Sequence, residues 1–235
     1  MQLLVSVRNE KEATIAAQNG VDRIDLKEPN QGSLGATTSV IWQQVVEQWH
    51  QGFPISVALG ELHEATYGDV VPAETNSVKV GLSRCRTRND WQQELKNVYE
   101  RMPASITRVM VYYADEHLAE SPDFVTLLRL SQQLLCGIFL IDTFDKSAGN
   151  VFAHLSITRL IEMRKQVADI DTSFALAGSL RTTDLQLVAR INPDIVAVRG
   201  AVCHGERTGE VCAGAIQSFQ ASLRQQSICI STQTN

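Results

Sequence analysis

Eight short apolar runs alternate with longer amphipathic or loop-like stretches along this chain. Each run has the length of a β-strand, and β-branched or large apolar residues dominate most of them. The predicted strands are Leu3–Val7, Arg23–Lys27, Ile55–Leu59, Val78–Leu82, Arg108–Tyr113, Gly137–Asp142, Phe174–Ala177 and Ile195–Val198. Strands separated by helices indicate an α/β fold with a parallel sheet.

Helical signals lie between most of these runs. Asn9, followed three residues later by Glu12, has the pattern of a capping box, and Gly20 is a stop signal. Residues 61–75 differ, because Gly68 and Pro72 interrupt them and predict a loop with at most one helical turn. The other predicted helices start near Asn89 and Pro122 or cover Phe152–Val167, Thr183–Ala189 and Val211–Leu223.

Eight strand–helix units in 235 residues fit a closed (β/α)8 barrel, the TIM barrel, which typically needs about 250 residues. A doubly wound open sheet is the alternative, but no G-x-G-x-x-G motif follows the first strand. We therefore predict an α/β protein with a single TIM-barrel domain over residues 1–235 and a shortened third helix. We expect the C-terminal tail, about residues 226–235, to be loose.

Composition excludes several classes of partner. A net charge of −5 with no block of Lys or Arg argues against nucleic acid or an acidic membrane surface. The N-terminus lacks the basic lead and apolar length of a signal peptide, and no run of about 18 apolar residues predicts a membrane span. We expect a cytoplasmic protein with no membrane or nucleic-acid partner.

The cysteines and histidines predict neither a metal site nor a cofactor. Five cysteines, an odd number without a C-x-x-C pair, suit reduced thiols, and the histidines show no ligand spacing. Cys203 beside His204 is interpreted as a packed thiol rather than a nucleophile, because no second partner is evident.

Two charged residues stand inside the second predicted strand, although strands of a buried parallel sheet are usually apolar throughout. Because side chains alternate along a strand, Asp25 and Lys27 share one side, and Ile24 and Leu26 share the other. If the apolar pair packs against the helices, the charged pair faces the barrel mouth, where TIM-barrel active sites lie.

The same alternation directs Lys79 of the fourth strand and Asp142 of the sixth into the barrel, with Lys146 in the following loop. Each signal alone has an ordinary structural reading, because a lysine at a strand end can pair with a carboxylate and Asp142 can cap a loop. Three lysines and two aspartates at one rim favour a functional site.

These residue types predict Schiff-base chemistry on a carbonyl compound. An amine attacks an aldehyde or ketone only when unprotonated, so its pKa must fall from about 10.4. Neighbouring Lys79 and Lys146, together with partial burial, would lower the pKa of Lys27 in this way. The resulting iminium acidifies the adjacent C–H, and we expect Lys79 to remove that proton while Asp25 or Asp142 shuttles protons.

The seventh and eighth predicted strands end in glycines, at the position where many TIM barrels bind phosphate on backbone N–H groups. Gly178 and Ser179, with Gly200 and Ala201, fit that role, and Arg199 is a candidate helper. Simple helix-entry glycines are the alternative. The site is therefore predicted to take a phosphorylated carbonyl compound.

Six motifs resemble, in order, those of the (5-formylfuran-3-yl)methyl phosphate synthase family, also called the 4-(hydroxymethyl)-2-furancarboxaldehyde-phosphate synthase family. They extend from Leu3 to about Cys203, and the three lysine motifs together are specific. The motifs are LLVSV, D-x-K followed by G-S-L-G-A, V-K-V-G-L, I-D-T-x-x-K, A-L-A-G-S and V-R-G-A.

The resemblance implies a TIM-barrel enzyme of methanofuran-type cofactor biosynthesis, in methanogens or methylotrophic bacteria. The implied reaction condenses two glyceraldehyde 3-phosphate molecules into a phosphorylated furan aldehyde, with loss of phosphate and water and without a metal. By motif, Lys27 forms the Schiff base, Lys79 accepts a proton, and Asp25, Asp142 and Lys146 match the remaining polar positions. A triose phosphate is the expected ligand, and a homo-oligomer the expected assembly. Segment 61–75 departs from the family pattern, because it is shorter than expected for the third helix of the family's barrel.

Three alternatives stay open from the sequence. One is a Schiff-base aldolase or isomerase of another sugar phosphate on the same barrel. Another is a metal-assisted lyase that uses Asp25 and Asp142. The third is a non-catalytic sensor, which would bind triose phosphates but give no covalent adduct under borohydride.

Overall fold

Eight parallel strands form a closed barrel in sequence order, which confirms the predicted TIM barrel. The computed structural model describes residues 1–64 and 71–231. β1 pairs with both β2 and β8 and so closes the sheet. The strands, each within one or two residues of its predicted bounds, are β1 (Gln2–Val7), β2 (Arg23–Leu26), β3 (Ile55–Glu61), β4 (Ser77–Gly81), β5 (Thr107–Tyr113), β6 (Ile138–Asp142), β7 (Ser173–Leu176) and β8 (Ile195–Val198).

Helices cover the outside of the barrel. The α-helices of the described residues are α1 (Glu10–Gln18), α2 (Ser39–Trp49), α3 (Trp91–Glu100), α4 (Glu116–Ala119), α5 (Phe124–Gln133), α6 (Val151–His154), α7 (Ile157–Ala168), α8 (Leu185–Ile191) and α9 (Ala213–Ser231). Single 3-10 turns occupy Pro29–Gln31, Thr182–Asp184 and Gly200–Val202.

The third strand–helix unit differs from the others. Between β3 and β4 the described residues, 62–64 and 71–76, contain turns and no helix. The predicted break at Gly68 lies outside the described residues. The unit therefore contributes its strand, β3, but no described helix to the wall of the barrel.

Capping residues explain where several helices start. The side chain of Asn9 accepts a hydrogen bond from the backbone N–H of Glu12, which confirms one half of the predicted capping box. The other half is wrong, because the Glu12 carboxylate accepts from the N–H of Arg8 rather than from that of Asn9. The prediction of one helix over Phe152–Val167 is wrong, because two helices, α6 and α7, occupy this stretch. Ser156 takes an extended backbone and its side chain accepts from the N–H of Arg159, so it starts a second helix.

The strand alternation divides the core into two apolar clusters. Ile24 and Leu26 of β2, with Val78 and Val80 of β4, belong to the cluster packed against the helices. A smaller cluster inside the barrel includes Ala58 and residues of β5 to β8. The polar residues between these apolar positions on β2 and β4 therefore face the barrel interior, as the sequence predicted.

The C-terminal helix α9 continues to Ser231, and residues 232–235 lie outside the described residues. A single domain and a loose tail stay predictions. None of the helices in the described part of the chain has the length and apolar character needed to cross a lipid bilayer.

Candidate active site

One cavity of about 840 Å³ occupies the barrel and opens at the C-terminal ends of the strands. All five predicted catalytic residues and all five predicted phosphate-binding residues line it, so the strands and the loops at their C-terminal ends bring them together. They are Asp25, Lys27, Lys79, Asp142 and Lys146, with Gly178, Ser179, Arg199, Gly200 and Ala201.

Asp25 and Lys79 form a buried ion pair between β2 and β4. The Nζ of Lys79 donates to Oδ1 of Asp25 and, at 3.1 Å, to Oγ of Ser56. Oγ of Ser6 donates to the other carboxylate oxygen of Asp25 at 2.8 Å. Burial raises the pKa of Asp25, but the charges of Lys79 and Lys27 outweigh burial and hold it below its usual value. In the site without substrate, Asp25 is therefore ionised opposite Lys79.

Asp142 and Lys146 form a second pair at the end of β6. The Nζ of Lys146 donates to Oδ1 of Asp142 at 2.6 Å, and the backbone N–H of Thr143 donates to the same oxygen at 2.8 Å. Burial again raises the pKa of Asp142, and the charges of Lys146 and Lys27 lower it by more. The site thus holds two carboxylate–ammonium pairs.

Lys27 is the third amine, and it is the one without a hydrogen bond or ion pair among the described residues. Its side chain lies at the end of β2 with 8% of its surface exposed. Burial lowers the pKa of Lys27, Asp142 and Asp25 raise it, and the like charges of Lys146 and Lys79 lower it, so that the net pKa is about 8. About a tenth of this amine is therefore neutral at pH 7, far more than for an amine with the ordinary pKa of Lys.

The loops after β7 and β8 present free backbone donors to the cavity. Gly178 and Ser179 both have positive φ angles, of 92° and 55°. In the part of the chain that the structure describes, the N–H groups of Ser179, Gly200 and Ala201 donate to no protein backbone acceptor. Adjacent N–H groups of this kind form a concave site suited to an anion.

Arg199 has a different role from the predicted phosphate helper. Its Nε donates to the carbonyl of Arg207, and its two Nη groups donate to Glu12, to the Ser6 carbonyl and to the Gly209 carbonyl, at 2.7 to 3.2 Å. A guanidinium has five N–H donors, so these five bonds leave none for a phosphate. We therefore correct the prediction: Arg199 lines the cavity, but its guanidinium fixes the loop after β8 and has no donor left for a phosphate.

Sequence reasoning missed several polar residues of the site. Ser6 and Ser56 bond the Asp25–Lys79 pair, and Ser33 donates to the Thr143 carbonyl at 2.8 Å. Ser6 and Ser56 each occupy an inward-facing position of an otherwise apolar strand, which was the available signal. Arg207 also lines the cavity, but its sequence neighbours give no periodic signal.

Two other sequence-based expectations concern side chains outside the lysine cluster. Cys203 is partly buried, and burial raises the pKa of its thiol, which suits a packed thiol rather than an activated nucleophile. Within residues 1–64 and 71–231, no three His, Cys, Asp or Glu side chains converge as metal ligands would. Both aspartates of the site accept instead from lysine amines.

Comparison with protein families gives one match over most of the chain. A family model described as 4-HFC-P synthase matches residues 3–220. The (5-formylfuran-3-yl)methyl phosphate synthase of Methanococcus maripaludis strain C6 is 32% identical over 213 residues, covering 86% of this chain and 90% of that protein. The synthase of the same name from Methanopyrus kandleri strain AV19 is 32% identical over 228 residues, covering 92% and 94%.

Solved structures share the barrel at much lower identity. Phosphoribosyl anthranilate isomerase from Thermotoga maritima has a TM-score of 0.63 and 13% identity, covering 96% of this chain and 99% of that one. 3-Hexulose-6-phosphate synthase from Salmonella typhimurium has a TM-score of 0.60 and 15% identity, covering 96% and 100%. At these identities the likeness shows the fold alone.

Proposed function

The chain belongs to the 4-HFC-P synthase family, and from this membership we propose that it is an enzyme that makes (5-formylfuran-3-yl)methyl phosphate for a methanofuran-type cofactor. In the proposed reaction two molecules of glyceraldehyde 3-phosphate condense through a lysine Schiff base. Atom balance then requires the release of one inorganic phosphate and two waters for each furan. The proposal includes a cytoplasmic location and a homo-oligomeric assembly.

The environment of Lys27 is the observation that supports this chemistry most. A Schiff base requires an amine that is neutral and within reach of a carbonyl group in a pocket. Lys27 lines the cavity, its pKa is lowered to about 8, and no described residue holds its nitrogen in a hydrogen bond. Lys79 and Lys146 are each paired with a carboxylate, which makes Lys27 the better nucleophile.

The proposed reaction begins with attack of Lys27 on the aldehyde of one triose phosphate, and loss of water gives an iminium. This cation acidifies the C–H at carbon 2, and Lys79 accepts that proton once its own ammonium proton has passed to Asp25 along their hydrogen bond. The electron pair left at carbon 2 expels the phosphate from carbon 3.

Carbon 3 of the enol that remains then attacks carbon 2 of the second triose phosphate, in the isomerised ketone form of that molecule, which forms the carbon–carbon bond that the 3,5-disubstituted furan requires. Asp142 and Lys146 form the other ion pair that acts on the charge of Lys27, so they are proposed to exchange protons during ring closure and dehydration. Formation of an aromatic furan helps to drive these last steps.

Replacement of Lys27 tests the proposal. Lys27→Arg retains the positive charge but has no amine that deprotonates near neutral pH, so furan formation and the borohydride-trapped adduct should both disappear. The assay incubates the protein with glyceraldehyde 3-phosphate alone, follows furan absorption in the ultraviolet, and locates the reduced adduct by mass spectrometry. Lys165→Arg, at an exposed position on α7, is the matched control. Full turnover by Lys27→Arg, or an adduct on another lysine, would overturn the assignment.

A further inference from the structure

The loop after β8 folds into a short hairpin at the cavity mouth. Cys203 and Val211 form an isolated antiparallel bridge, the N–H of His204 donates to the carbonyl of Glu210 at 2.9 Å, and the N–H of Cys212 donates to the carbonyl of Val202 at 2.8 Å. Arg207 lies at the tip of this hairpin and lines the cavity.

Buried Arg199 holds the hairpin against the barrel. Its guanidinium donates to the carbonyls of Arg207 and Gly209, at 2.7 and 2.9 Å, and forms an ion pair with Glu12 at 2.8 Å. Both partners of this ion pair are almost completely buried. This rigid group therefore fixes the backbone of Arg207 and, with it, the position from which the Arg207 side chain extends.

The guanidinium of Arg207 itself forms few hydrogen bonds. Its Nη2 donates to the carbonyl of Gly32 at 3.0 Å. Gly32 lies across the cavity mouth, on the loop that follows Lys27. Among residues 1–64 and 71–231 this is its one side-chain hydrogen bond, and no carboxylate forms an ion pair with it. Since a guanidinium has five N–H donors, Arg207 retains donors for a ligand.

The neighbouring carboxylates already have other partners. Asp142 accepts from Lys146, and the side chain of Glu28 accepts from the backbone and side-chain nitrogens of Asn30. Gly200 lies beside Arg207, because a Cβ built at Gly200 would be 3.5 Å from the Cβ of Arg207. An uncompensated, partly buried positive charge thus lies next to the free backbone N–H groups of the loop after β8.

We propose that Arg207 binds the phosphate group of a phosphorylated aldehyde substrate and thereby selects phosphorylated over unphosphorylated aldehydes. The planar guanidinium fork matches two phosphate oxygens at once, and the backbone N–H groups of Gly200 and Ala201 supply donors beside it. This inference rests on the proposed function for the identity of the substrate, but the binding of phosphate can be measured without turnover.

The first test uses inorganic phosphate as the probe and isothermal titration calorimetry as the readout. Arg207→Gln should weaken phosphate binding by about 10- to 100-fold, the range expected for charge-assisted hydrogen bonds. Arg207→Lys should weaken it several-fold, because an ammonium cannot bind two oxygens in fork geometry. Arg190→Gln removes an exposed arginine from the last turn of α8, at the opposite end of the barrel, and should leave binding unchanged.

The second test measures selectivity. Borohydride-trapped adduct is measured once with glyceraldehyde 3-phosphate and once with glyceraldehyde. The ratio of the first amount to the second should fall about 10-fold or more in Arg207→Gln. If folded Arg207→Gln binds phosphate with the affinity of the wild type, the inference is overturned. If the glutamine variant does not fold, the same result in folded Arg207→Lys overturns it. So does the absence of phosphate binding by the wild-type protein. A wild-type protein that binds phosphate through Arg207 but makes no furan would instead contradict the proposed function.

Discussion

Burial and two opposing sets of charges act on Lys27, and their balance sets its pKa. Asp142 and Asp25 raise its pKa, whereas burial, Lys146 and Lys79 lower it, with a result of about 8. At pH 7 about a tenth of the amine is neutral, and this fraction rises as the pH passes through 8. The rate of adduct formation should therefore rise with pH, reach half of its maximum at about pH 8 and level off about one unit higher.

Charge removal at the second pair should move this pH profile in opposite directions. Asp142→Asn removes a charge that raises the pKa of Lys27, so the midpoint should shift to lower pH, by about one unit. Lys146→Gln removes a charge that lowers it, so the midpoint should shift to higher pH. The measurement is the initial rate of borohydride-trapped adduct between pH 5 and about pH 10. Shifts of the same sign in both variants would contradict this electrostatic account.

The buried charge of Lys27 should also lower the stability of the fold. In the unfolded chain Lys27 binds its proton up to its ordinary pKa of 10.5, and in the folded chain it loses the proton at about 8. The unfolded state therefore binds more protons between these values, and the free energy of unfolding rises with pH across that window. Below about pH 8 the full destabilisation applies, on the order of 3 kcal/mol.

Lys27→Met should remove this cost. We expect its free energy of unfolding to exceed that of the wild type by up to about 3 kcal/mol at pH 7, and the gain to shrink towards pH 10. Urea denaturation at both pH values measures the difference. Lys165→Met, at an exposed position, should change little at either pH. A gain for Lys27→Met that is the same at both pH values would indicate better packing rather than relief of a buried charge.

The sequence predicted which charged residues converge, but not which of them pair. Alternation along β2 and β4 placed Asp25, Lys27 and Lys79 inside the barrel, because period-two side-chain direction is a local property of a strand. The pairing of Lys79 with Asp25 depends on the register between non-consecutive strands. Arg199 was misassigned for the same reason, because its acceptors lie in distant segments such as α1.

At the scale of elements, Gly178 connects the loop after β7 to α6. Gly178 has a φ of 92°, its carbonyl accepts from the N–H of Val151 at 2.9 Å, and a Cβ at this position would lie 2.8 Å from the Cβ of Val151. The loop after β7 can therefore approach the first residue of α6 only because residue 178 has no side chain.

Gly178→Ala should strain both the backbone and this contact. We expect a loss of about 1–3 kcal/mol in the free energy of unfolding, together with weaker phosphate binding, because Ser179 belongs to the same loop. Denaturant unfolding and phosphate titration measure the two effects. Gly52→Ala is the matched control, since a Cβ there meets only the Trp49 carbonyl, at 3.9 Å. Equal stability of the two variants would show that Gly178 is not constrained by its neighbours.

Element bounds were predictable where a local signal ends the element. The β-strands agreed within one or two residues, since each is a short apolar run. The break between α6 and α7 was missed because hydrophobic periodicity continues across Leu155 and Ser156, and the extended backbone at these residues reflects packing of α6 on the loop after β7.

At the scale of the whole molecule, the barrel interior departs from the usual TIM-barrel core. Bulky branched residues normally fill the barrel in layers. Here many of the inward positions are small, and the cavity reaches down to the first residues of β2, β4, β6 and β8. The small residues that line it are Ser6, Ser56, Ser77, Ala175, Ala177 and Ala197. Counting strands predicted closure of the barrel, but how far its axis is filled depends on the sum of all eight strands.

The open axis predicts that size increases are tolerated at some interior positions and not at others. Ala197 on β8 lines the cavity and is partly exposed, whereas Ala58 on β3 is completely buried in the interior apolar cluster and does not line it. Ala197→Leu should change the free energy of unfolding by less than about 1 kcal/mol, because the added carbons enter empty space. Ala58→Leu should cost about 1–3 kcal/mol, because it overpacks a filled region. Urea unfolding compares the two variants. If Ala197→Leu is as destabilising as Ala58→Leu, the barrel axis is closed in solution, and the floor of the substrate cavity lies at the level of the Asp25–Lys79 pair rather than below it.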